Sequence, residues 1–119
     1  MAEQSQRLNV TTDGPILIVE LTDRKILDEL SITQIGEQIE QLISEQETPR
    51  LVMDFQPVSH MSSSALGMLI TIHKRVRERD GQLRLCNIQP EIKEVFSITR
   101  LDEVFEIHDS RQVALESLR

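Results

Sequence analysis

The sequence has only one cysteine and no apolar run long enough to cross a membrane. Cys86 therefore cannot form an internal disulfide, and its place in the apolar run Leu83–Cys86 predicts a reduced, buried thiol. A membrane-spanning helix needs about 20 consecutive apolar residues, and no segment approaches that length. The polar beginning Met1–Gln6 has neither the basic nor the apolar region of a signal peptide. We therefore expect a cytoplasmic protein that has no membrane partner.

Positive charge is also scarce in this chain. It has 13 basic against 20 acidic side chains, which gives a formal net charge of −7. Such a surface repels phosphate backbones and anionic lipids, so we expect no direct binding of nucleic acid. The 119 residues suit one domain with its own hydrophobic core. We expect a flexible N-terminus over residues 1–7 and a single domain over residues 8–119, without repeats or low-complexity segments.

Short apolar runs predict strands, and apolar residues at steps of three and four predict helices between them. The predicted strands are a hairpin of Leu8–Val10 with Pro15–Leu21, then Leu51–Phe55, Leu83–Cys86 and Val104–Ile107. The predicted helices run from Ser31 to before Pro49, from the serines at 62–64 to before Gly81, from Pro90 and from Asp109. The nearly all-apolar run Leu51–Phe55 is typical of a central strand covered on both faces. This order predicts a single α/β domain with a mixed β-sheet of about four to five strands and about four helices.

Three consecutive serines, Ser62–Ser64, stand between the predicted central strand and the helix that follows it. The start of a helix has four N–H groups without intrahelical acceptors and the positive end of the helix dipole. A serine hydroxyl there can cap the helix, or it can carry a phosphate that the N–H groups stabilise. The residues alone favour caps. At the other end of this helix, Gly81 can supply a left-handed stop after the basic last turns.

Other polar residues have simpler explanations. His60 has no acidic partner at a spacing that supports a catalytic triad, and without a Gly-x-Ser-x-Gly motif the sequence does not predict a hydrolase. His73 and His108 have no metal-ligand spacing with Cys86 or with each other, so we expect no metal site. No glycine-rich phosphate loop follows a strand, and we expect no cofactor. Asp54, at the end of the central strand, can cap or organise the loop that follows it.

Four segments have a characteristic order and spacing. They are the Pro-Val-Ser loop at 57–59, Met-Ser-Ser-Ser-Ala-Leu-Gly at 61–67, Gly-Gln-Leu-Arg-Leu-Cys-Asn-Ile at 81–88, and Phe-Ser-Ile-Thr-Arg-Leu-Asp-Glu-Val-Phe-Glu-Ile at 96–107. Together they resemble a STAS domain, in particular the bacterial anti-sigma factor antagonists. The resemblance covers residues 8–118, nearly the whole chain.

In that family, a Met-Asp-Ser-Ser-Gly-Leu-Gly-like motif carries a serine or threonine that a partner anti-sigma factor kinase phosphorylates. Alignment through the Met, Leu and Gly of the motif implies that Ser63 is the acceptor. Ser62 replaces the usual aspartate and would cap the helix without charge. Ala65 replaces the common glycine, and alanine is the better helix former by about 1 kcal/mol.

The resemblance also implies a protein-binding surface around the acceptor. The predicted surface residues are Asp28, Ser59, His60, Met61, Ser62, Ser63 and Ser64. Ser62 is in addition the predicted helix cap, and Ser64 the predicted support of the first turn. In the family, the loop equivalent to Thr22–Asp28 lies near the acceptor, and Leu27-Asp28 matches its pattern. The alternative is that Asp28 only caps the helix that follows it.

The resemblance predicts a partner-switching regulator of transcription and not an enzyme. Such a protein binds an anti-sigma factor serine kinase, frees a sigma factor and is inactivated by phosphorylation, here at Ser63. A PP2C-type phosphatase is the implied second partner. The alternative function is a phosphorylation-independent STAS interaction module in another bacterial signalling assembly, in which Ser62 and Ser63 only cap the helix. The sequence does not predict the oligomeric state.

Overall fold

The computed structural model describes residues 7–119, in which seven strands, four α-helices and one 3-10 helix are found. The strands are β1 (Leu8–Asp13), β2 (Ile16–Leu21), β3 (Lys25–Ile26), β4 (Arg50–Asp54), β5 (His60–Met61), β6 (Gln82–Cys86) and β7 (Glu106–His108). The α-helices are α1 (Glu29–Ser44), α2 (Ser63–Glu78), α3 (Pro90–Ile98) and α4 (Arg111–Glu116), and the 3-10 helix is Leu101–Glu103. Residues 1–6 of the predicted flexible N-terminus lie outside the described part of the chain.

Five strands form one mixed sheet in the order β1-β2-β4-β6-β7. The hairpin β1–β2 is antiparallel and turns at Gly14, which has a φ of 60°. The strands β2, β4, β6 and β7 are parallel to one another. Leu51, Val52 and Met53 of β4 are fully buried because this strand has a neighbour on each side and helices on both faces. The α/β fold, the mixed sheet and the central position of β4 are therefore confirmed.

Helices cover the two faces of the sheet unequally. The isoleucines of α1 at positions 32, 35, 39 and 43 recur at steps of three and four, so they lie on one face of the helix and are buried together. They belong to the larger core, to which α2 and α3 also contribute. The shorter α4 covers the other face with a smaller core of Ile16, Ile18, Val52, Cys86, Ala114, Leu115 and Leu118. In residues 7–119, no helix has the length and apolar character that crossing a membrane requires.

Several element boundaries differ from the predicted ones, among them β1, which extends to Asp13. Helix α1 begins at Glu29, two positions before Ser31, because Asp28 is its N-cap. The last strand is Glu106–His108 because the segment before it forms the 3-10 helix. Helix α4 begins at Arg111, with Ser110 as its cap.

A second sheet of two strands was not predicted from the sequence. The strands β3 and β5 have two residues each and pair in parallel, with Lys25 opposite His60 and Ile26 opposite Met61. Two residues are too few to show an alternation of apolar and polar side chains. This small sheet joins the loop before α1 to the segment before α2.

The end of α2 also differs from the prediction made for Gly81. Asp80 is the left-handed residue, with a φ of 56°. The Asp80 N–H donates to the Arg77 carbonyl at 3.0 Å, and the Gly81 N–H donates to the Val76 carbonyl at 2.9 Å. This pair of bonds is the Schellman motif. Position 81 requires glycine for a different reason: a Cβ there would clash with the backbone carbonyl of Pro49.

Candidate functional site

The serine segment lies at the carboxyl end of the central strand β4. A turn follows the strand, in which the Val58 N–H donates to the Phe55 carbonyl at 2.9 Å. The chain then passes through β5 and enters α2, whose first residue is Ser63. Strand, turn and helix therefore bring the serines to one edge of the sheet.

Ser62 is the N-cap residue of α2. Its backbone is extended, with φ −84° and ψ 169°, and its Oγ accepts the Ala65 N–H at 3.2 Å. The Ser62 carbonyl accepts the Leu66 N–H at 3.1 Å. Because the hydroxyl and the carbonyl of Ser62 both serve the first turn, this residue has the geometry of a structural cap.

Ser63 and Ser64 occupy the first two positions of α2, and both side chains are exposed. Within residues 7–119, neither their N–H groups nor their hydroxyls have a hydrogen-bond partner. The first turn of α2 contains no acidic residue. This helix start therefore has N–H groups and a helix dipole that no negative charge yet compensates.

The loop before α1 lies beside the serine segment. The Ser62 N–H donates to the Ile26 carbonyl at 3.1 Å, next to the pairing of Ile26 with Met61 in the small sheet. Asp28 follows only two positions later. The structure thus brings together the two segments that the resemblance to the STAS family places near each other.

Asp28 is the N-cap of α1. Its Oδ2 accepts the Ser31 N–H at 3.0 Å, and its Oδ1 accepts the Ser31 hydroxyl at 2.8 Å. These two bonds, the backbone one first, lower the pKa of the Asp28 carboxyl because they stabilise its charged form. The capping role left open by the sequence is therefore present. A contact of Asp28 with a partner stays a prediction.

Ser59 and His60 interact mainly with the loop before α1. The N–H and the hydroxyl of Ser59 both donate to the Arg24 carbonyl, at 2.8 and 3.2 Å. The same hydroxyl lies 2.9 Å from His60 Nδ1. These contacts fix the backbone, while the His60 side chain is exposed and Met61 is half-buried. A contact of Ser59, His60 or Met61 with a partner stays a prediction.

Asp54 is buried, with 1% of its surface exposed, and organises the turn after β4. Its Oδ1 accepts the Gln56 N–H and the Asn87 side-chain amide, both at 3.0 Å. Its Oδ2 accepts two bonds from Arg111, from Nε at 3.0 Å and from Nη2 at 2.9 Å. The turn that leads to the serines is therefore held by β6 and by the start of α4.

Asp54 is recognisable from its place at the end of a predicted strand, but its partners are not. Asn87 has a φ of 58°, a conformation that Asn adopts more readily than most residues, so its place directly after β6 was a weak signal. Arg111 is 57 positions from Asp54, and no local pattern connects the two. The spacing of residues along the sequence does not reveal ion pairs between positions this far apart.

Cys86 lies next to this buried carboxylate. Burial, and then the negative charge of Asp54, raise the pKa of its thiol to about 12, although the charge of Arg111 acts in the opposite direction. At neutral pH the thiol is protonated and therefore a poor nucleophile. The prediction that Cys86 is buried is confirmed, and no disulfide involves it within residues 7–119.

Two large apolar side chains are exposed beside the serine segment. Leu27 directly follows Ile26 and is 50% exposed, and Leu30 in the first turn of α1 is 62% exposed. In the sequence, Leu27 is notable only as part of the family pattern, and Leu30 has no signal that distinguishes it from a core residue. Apolar side chains that are exposed next to polar ones are common in surfaces that bind proteins.

The described residues contain no cluster of three or more His, Cys, Asp or Glu side chains that could hold a metal ion. The functional features of this edge are hydroxyls, N–H groups and apolar side chains. They are suited to binding and to accepting a modification.

The model of the STAS domain family matches residues 7–114, and this chain belongs to that family. A Bordetella bronchiseptica relative, whose name describes it as the anti-sigma factor antagonist BtrV, is 30% identical over 70 residues. That match spans 59% of this chain and 60% of the relative's length. The anti-sigma F factor antagonist of Paenibacillus polymyxa is 23% identical over 103 residues, which cover 87% of this chain and 86% of that protein.

Solved structures share the fold. An anti-sigma-factor antagonist (STAS) domain protein from Planctomyces limnophilus superposes with a TM-score of 0.85 at 23% identity, over 92% of this chain and 96% of that one. SpoIIAA of Bacillus has been solved in unphosphorylated and phosphorylated forms. Both have a TM-score of 0.70, with 20% and 18% identity, over 94% of this chain and 97% and 99% of theirs. The resemblance stated from the sequence is therefore confirmed at the level of family and fold.

Proposed function

We propose that this chain is an anti-sigma factor antagonist that binds an anti-sigma factor serine kinase and is inactivated by phosphorylation at Ser63. The observation that carries the proposal is the start of α2. There an exposed hydroxyl stands beside uncompensated N–H groups, while a neighbouring serine already caps the helix.

The three serines differ in what their hydroxyls do. The Ser62 hydroxyl accepts the capping bond, so its modification would disturb the first turn. Ser63 and Ser64 are both exposed, and the hydroxyl of neither is engaged within residues 7–119. Between these two, the position in the family motif favours Ser63.

The chain would be the substrate of the reaction, because the groups that drive phosphoryl transfer belong to the kinase. The Ser63 Oγ attacks the γ-phosphorus of ATP, a new O–P bond forms, ADP leaves, and the hydroxyl proton passes to a base of the kinase. A PP2C-type phosphatase would hydrolyse the ester and restore the hydroxyl. The residues of this chain supply the position of the hydroxyl and not the chemistry.

Phosphate at Ser63 would be compatible with the fold. It adds about −1.5 to −2 charges at the end of α2 where the helix dipole is positive. The free N–H groups of Ser63 and Ser64 can donate to its oxygens. The domain therefore stays folded while the charge of its surface changes.

The same charge would oppose docking of the kinase. In the unmodified protein, the exposed Leu27 and Leu30 provide apolar contact area beside the serines. Bringing a dianion into such an interface without a cationic partner costs several kcal/mol, on the order of a thousandfold in affinity. The relatives named as anti-sigma factor antagonists and the two forms of SpoIIAA support this reading.

The test is a pull-down from the source cell with immobilised wild type and three variants, Ser63→Ala, Ser63→Asp and Ser64→Asp. We expect wild type and Ser63→Ala to capture the same kinase and Ser63→Asp to lose it. Ser64→Asp is the matched control, since it places the same charge one position along the helix. It should retain more binding than Ser63→Asp.

Equal capture by wild type and Ser63→Asp, together with no phosphate on Ser63 after incubation with the captured kinase and ATP, would contradict the proposal. That result would support the alternative, a phosphorylation-independent STAS interaction module. The absence of the family aspartate, with Ser62 in its place, is the observation that favours this second candidate.

A further inference from the structure

A polar cleft lies at the end of the molecule opposite the serine segment. It has a volume of about 740 Å³ and opens where β4 and β6 begin, next to the last turns of α2. Clefts of ~300–1,000 Å³ are the usual size of small-molecule sites. The proposed function uses no residue of this cleft.

Three arginines line the cleft in a chain that is acidic overall. They are Arg50 at the start of β4, Arg77 near the end of α2, and Arg84 in β6. The acidic residues of the lining are Asp80 and Glu106, so three positive charges meet two negative ones. The cleft is therefore positive by one formal charge, whereas the chain carries −7.

Arg84 is held in place by the protein. Its Nε lies 2.9 Å from a Glu106 carboxylate oxygen and donates to the Ser117 hydroxyl at 3.0 Å, and its Nη1 donates to the Leu83 carbonyl at 3.2 Å. Only 13% of the side chain is exposed. Within residues 7–119 the Nη2 group has no partner, so a fixed guanidinium still has donors to offer.

Arg50 and Arg77 differ from Arg84 in having no carboxylate within 4.0 Å among residues 7–119. Guanidinium groups bind phosphate oxygens through two parallel hydrogen bonds, which makes arginine the common residue at phosphate sites. Two guanidiniums without an ion pair and a fixed third one line the same cleft, and this suits a phosphate group better than a single carboxylate.

The uncharged ring of His73 forms part of the cleft wall. Its ring packs edge-on against Phe105, with centroids 5.4 Å apart. Burial, and then the positive charge of Arg77, lower the pKa of His73. The neutral ring adds no further positive charge to the cleft, and its C–H signals report on what the cleft contains.

We propose that this cleft binds a small phosphate-bearing anion, with Arg50, Arg77 and Arg84 as the groups that contact the phosphate. The site is independent of the serine segment. Its ligand could come as free phosphate, as a diphosphate or as part of a nucleotide, and these share the same recognition chemistry.

The experiment is a titration of the whole protein with inorganic phosphate, pyrophosphate and ADP, followed by calorimetry and by the His73 ring signals in NMR. We expect saturable binding of at least one probe, with pyrophosphate binding more tightly than phosphate. If ADP binds more tightly than pyrophosphate, the ligand is a nucleotide, and if it does not, the phosphate groups alone are recognised.

The variant Arg77→Gln should weaken binding of the best probe by about tenfold or more, because charge-assisted hydrogen bonds are lost. Lys74→Gln is the matched control: it removes one exposed positive charge from the same helix, outside the cleft. It should change the affinity by less than about twofold, as expected for a screened surface charge. Absence of saturable binding by all three probes, or equal losses in the two variants, would overturn the proposal. Both outcomes leave the function proposed for Ser63 untouched.

Discussion

The two long helices begin within the same part of the molecule but in opposite electrostatic states. Helix α1 has a charged cap, Asp28, and a second acid, Glu29, in its first turn. Helix α2 has a neutral cap, Ser62, and no acid in its first turn. Since both helix starts have the same dipole, α1 is already compensated and α2 is not. Of these two helix starts, only that of α2 has a dipole that an added negative charge would newly compensate.

The largest loss of stability should come from Asp54→Ala. This change frees the turn before α2 and leaves the start of α1 unchanged. The change removes the acceptor of Gln56, Asn87 and Arg111, and breaking a buried ion pair of this kind costs about 3 kcal/mol. Because 37% of the Arg111 side chain is exposed, its charge can be partly hydrated after the change. The expected loss of unfolding free energy is therefore at the low end of the range for buried ion pairs. Equilibrium unfolding in urea measures the loss, and hydrogen exchange should rise at residues 56–62 but not at the start of α1.

The control for this variant is Glu20→Ala, which removes only the weaker contact to Arg111 at 3.4 Å. It should cost less than about 0.5 kcal/mol, as partly exposed ion pairs do. If both variants lose the same stability, Asp54 is not what organises the turn.

The next effect concerns the cap of α2. Replacing Ser62 by alanine removes the acceptor for the Ala65 N–H and should reduce the free energy of unfolding by about 1 kcal/mol. Ser64→Ala should cost nothing and can raise stability slightly, because Ser64 makes no capping bond and alanine is the better helix former. Thermal unfolding of the two variants side by side checks this. Equal losses would show that the cap is not specific to Ser62.

A smaller change, this time an increase in the free energy of unfolding, is expected from Ser62→Asp. This variant gives α2 the kind of charged cap that α1 has. A carboxylate at this end of the helix should stabilise the protein by about 0.3–1 kcal/mol at low ionic strength. The gain should fade at about 1 M salt, where the screening length falls to about 3 Å. A gain that persists in high salt would show that hydrogen-bond geometry, and not charge, makes the difference.

The smallest effect is the pH dependence that Asp28 contributes. Its pKa is lowered from 3.8 by the two bonds from Ser31, so the folded state binds a proton less readily than the unfolded state. The stabilisation is complete above pH 3.8 and is lost as the pH falls through the lower pKa of the folded protein. The free energies of unfolding of wild type and Asp28→Asn, measured across acidic pH, should converge at the lowest pH values. The curve of unfolding free energy against pH for Ser62→Ala should instead run parallel to that of wild type. A parallel curve for Asp28→Asn would contradict the claim that Asp28 is a source of the pH dependence.

Much of the fold could be predicted from the sequence because it depends on local periodicity. The isoleucines of α1 and the apolar run of β4 show their structure in their spacing. The serine segment was also found from sequence, since a helix start has a recognisable composition. Two apolar residues of the C-terminal helices, Val95 and Val113, show the limit, because both fit the pattern and yet are 41% and 46% exposed. Periodicity identifies a face but does not say whether that face is covered.

What the sequence could not predict are contacts between distant positions. The pairing of β3 with β5 joins residues about 35 positions apart, and Arg111 reaches Asp54 across 57 positions. The sequence predicts Gly81 as the left-handed residue at the end of α2, but that residue is Asp80. Glycine is needed at position 81 because Pro49 lies too close for a Cβ, and this neighbour is visible only in three dimensions. These long-range contacts bring the two helix starts together and hold the serine segment in place.

The most direct test of the account is to locate the phosphate. The kinase captured by the wild-type protein is incubated with ATP and, in separate reactions, with wild type, Ser63→Ala and Ser64→Ala, and the modified residue is identified by tandem mass spectrometry. We predict one phosphate per chain, on Ser63, in wild type and in Ser64→Ala, and none in Ser63→Ala. A phosphate that remains in Ser63→Ala, or one found on Ser62 or Ser64 of the wild type, would contradict the claim that the start of α2 presents Ser63 as the acceptor.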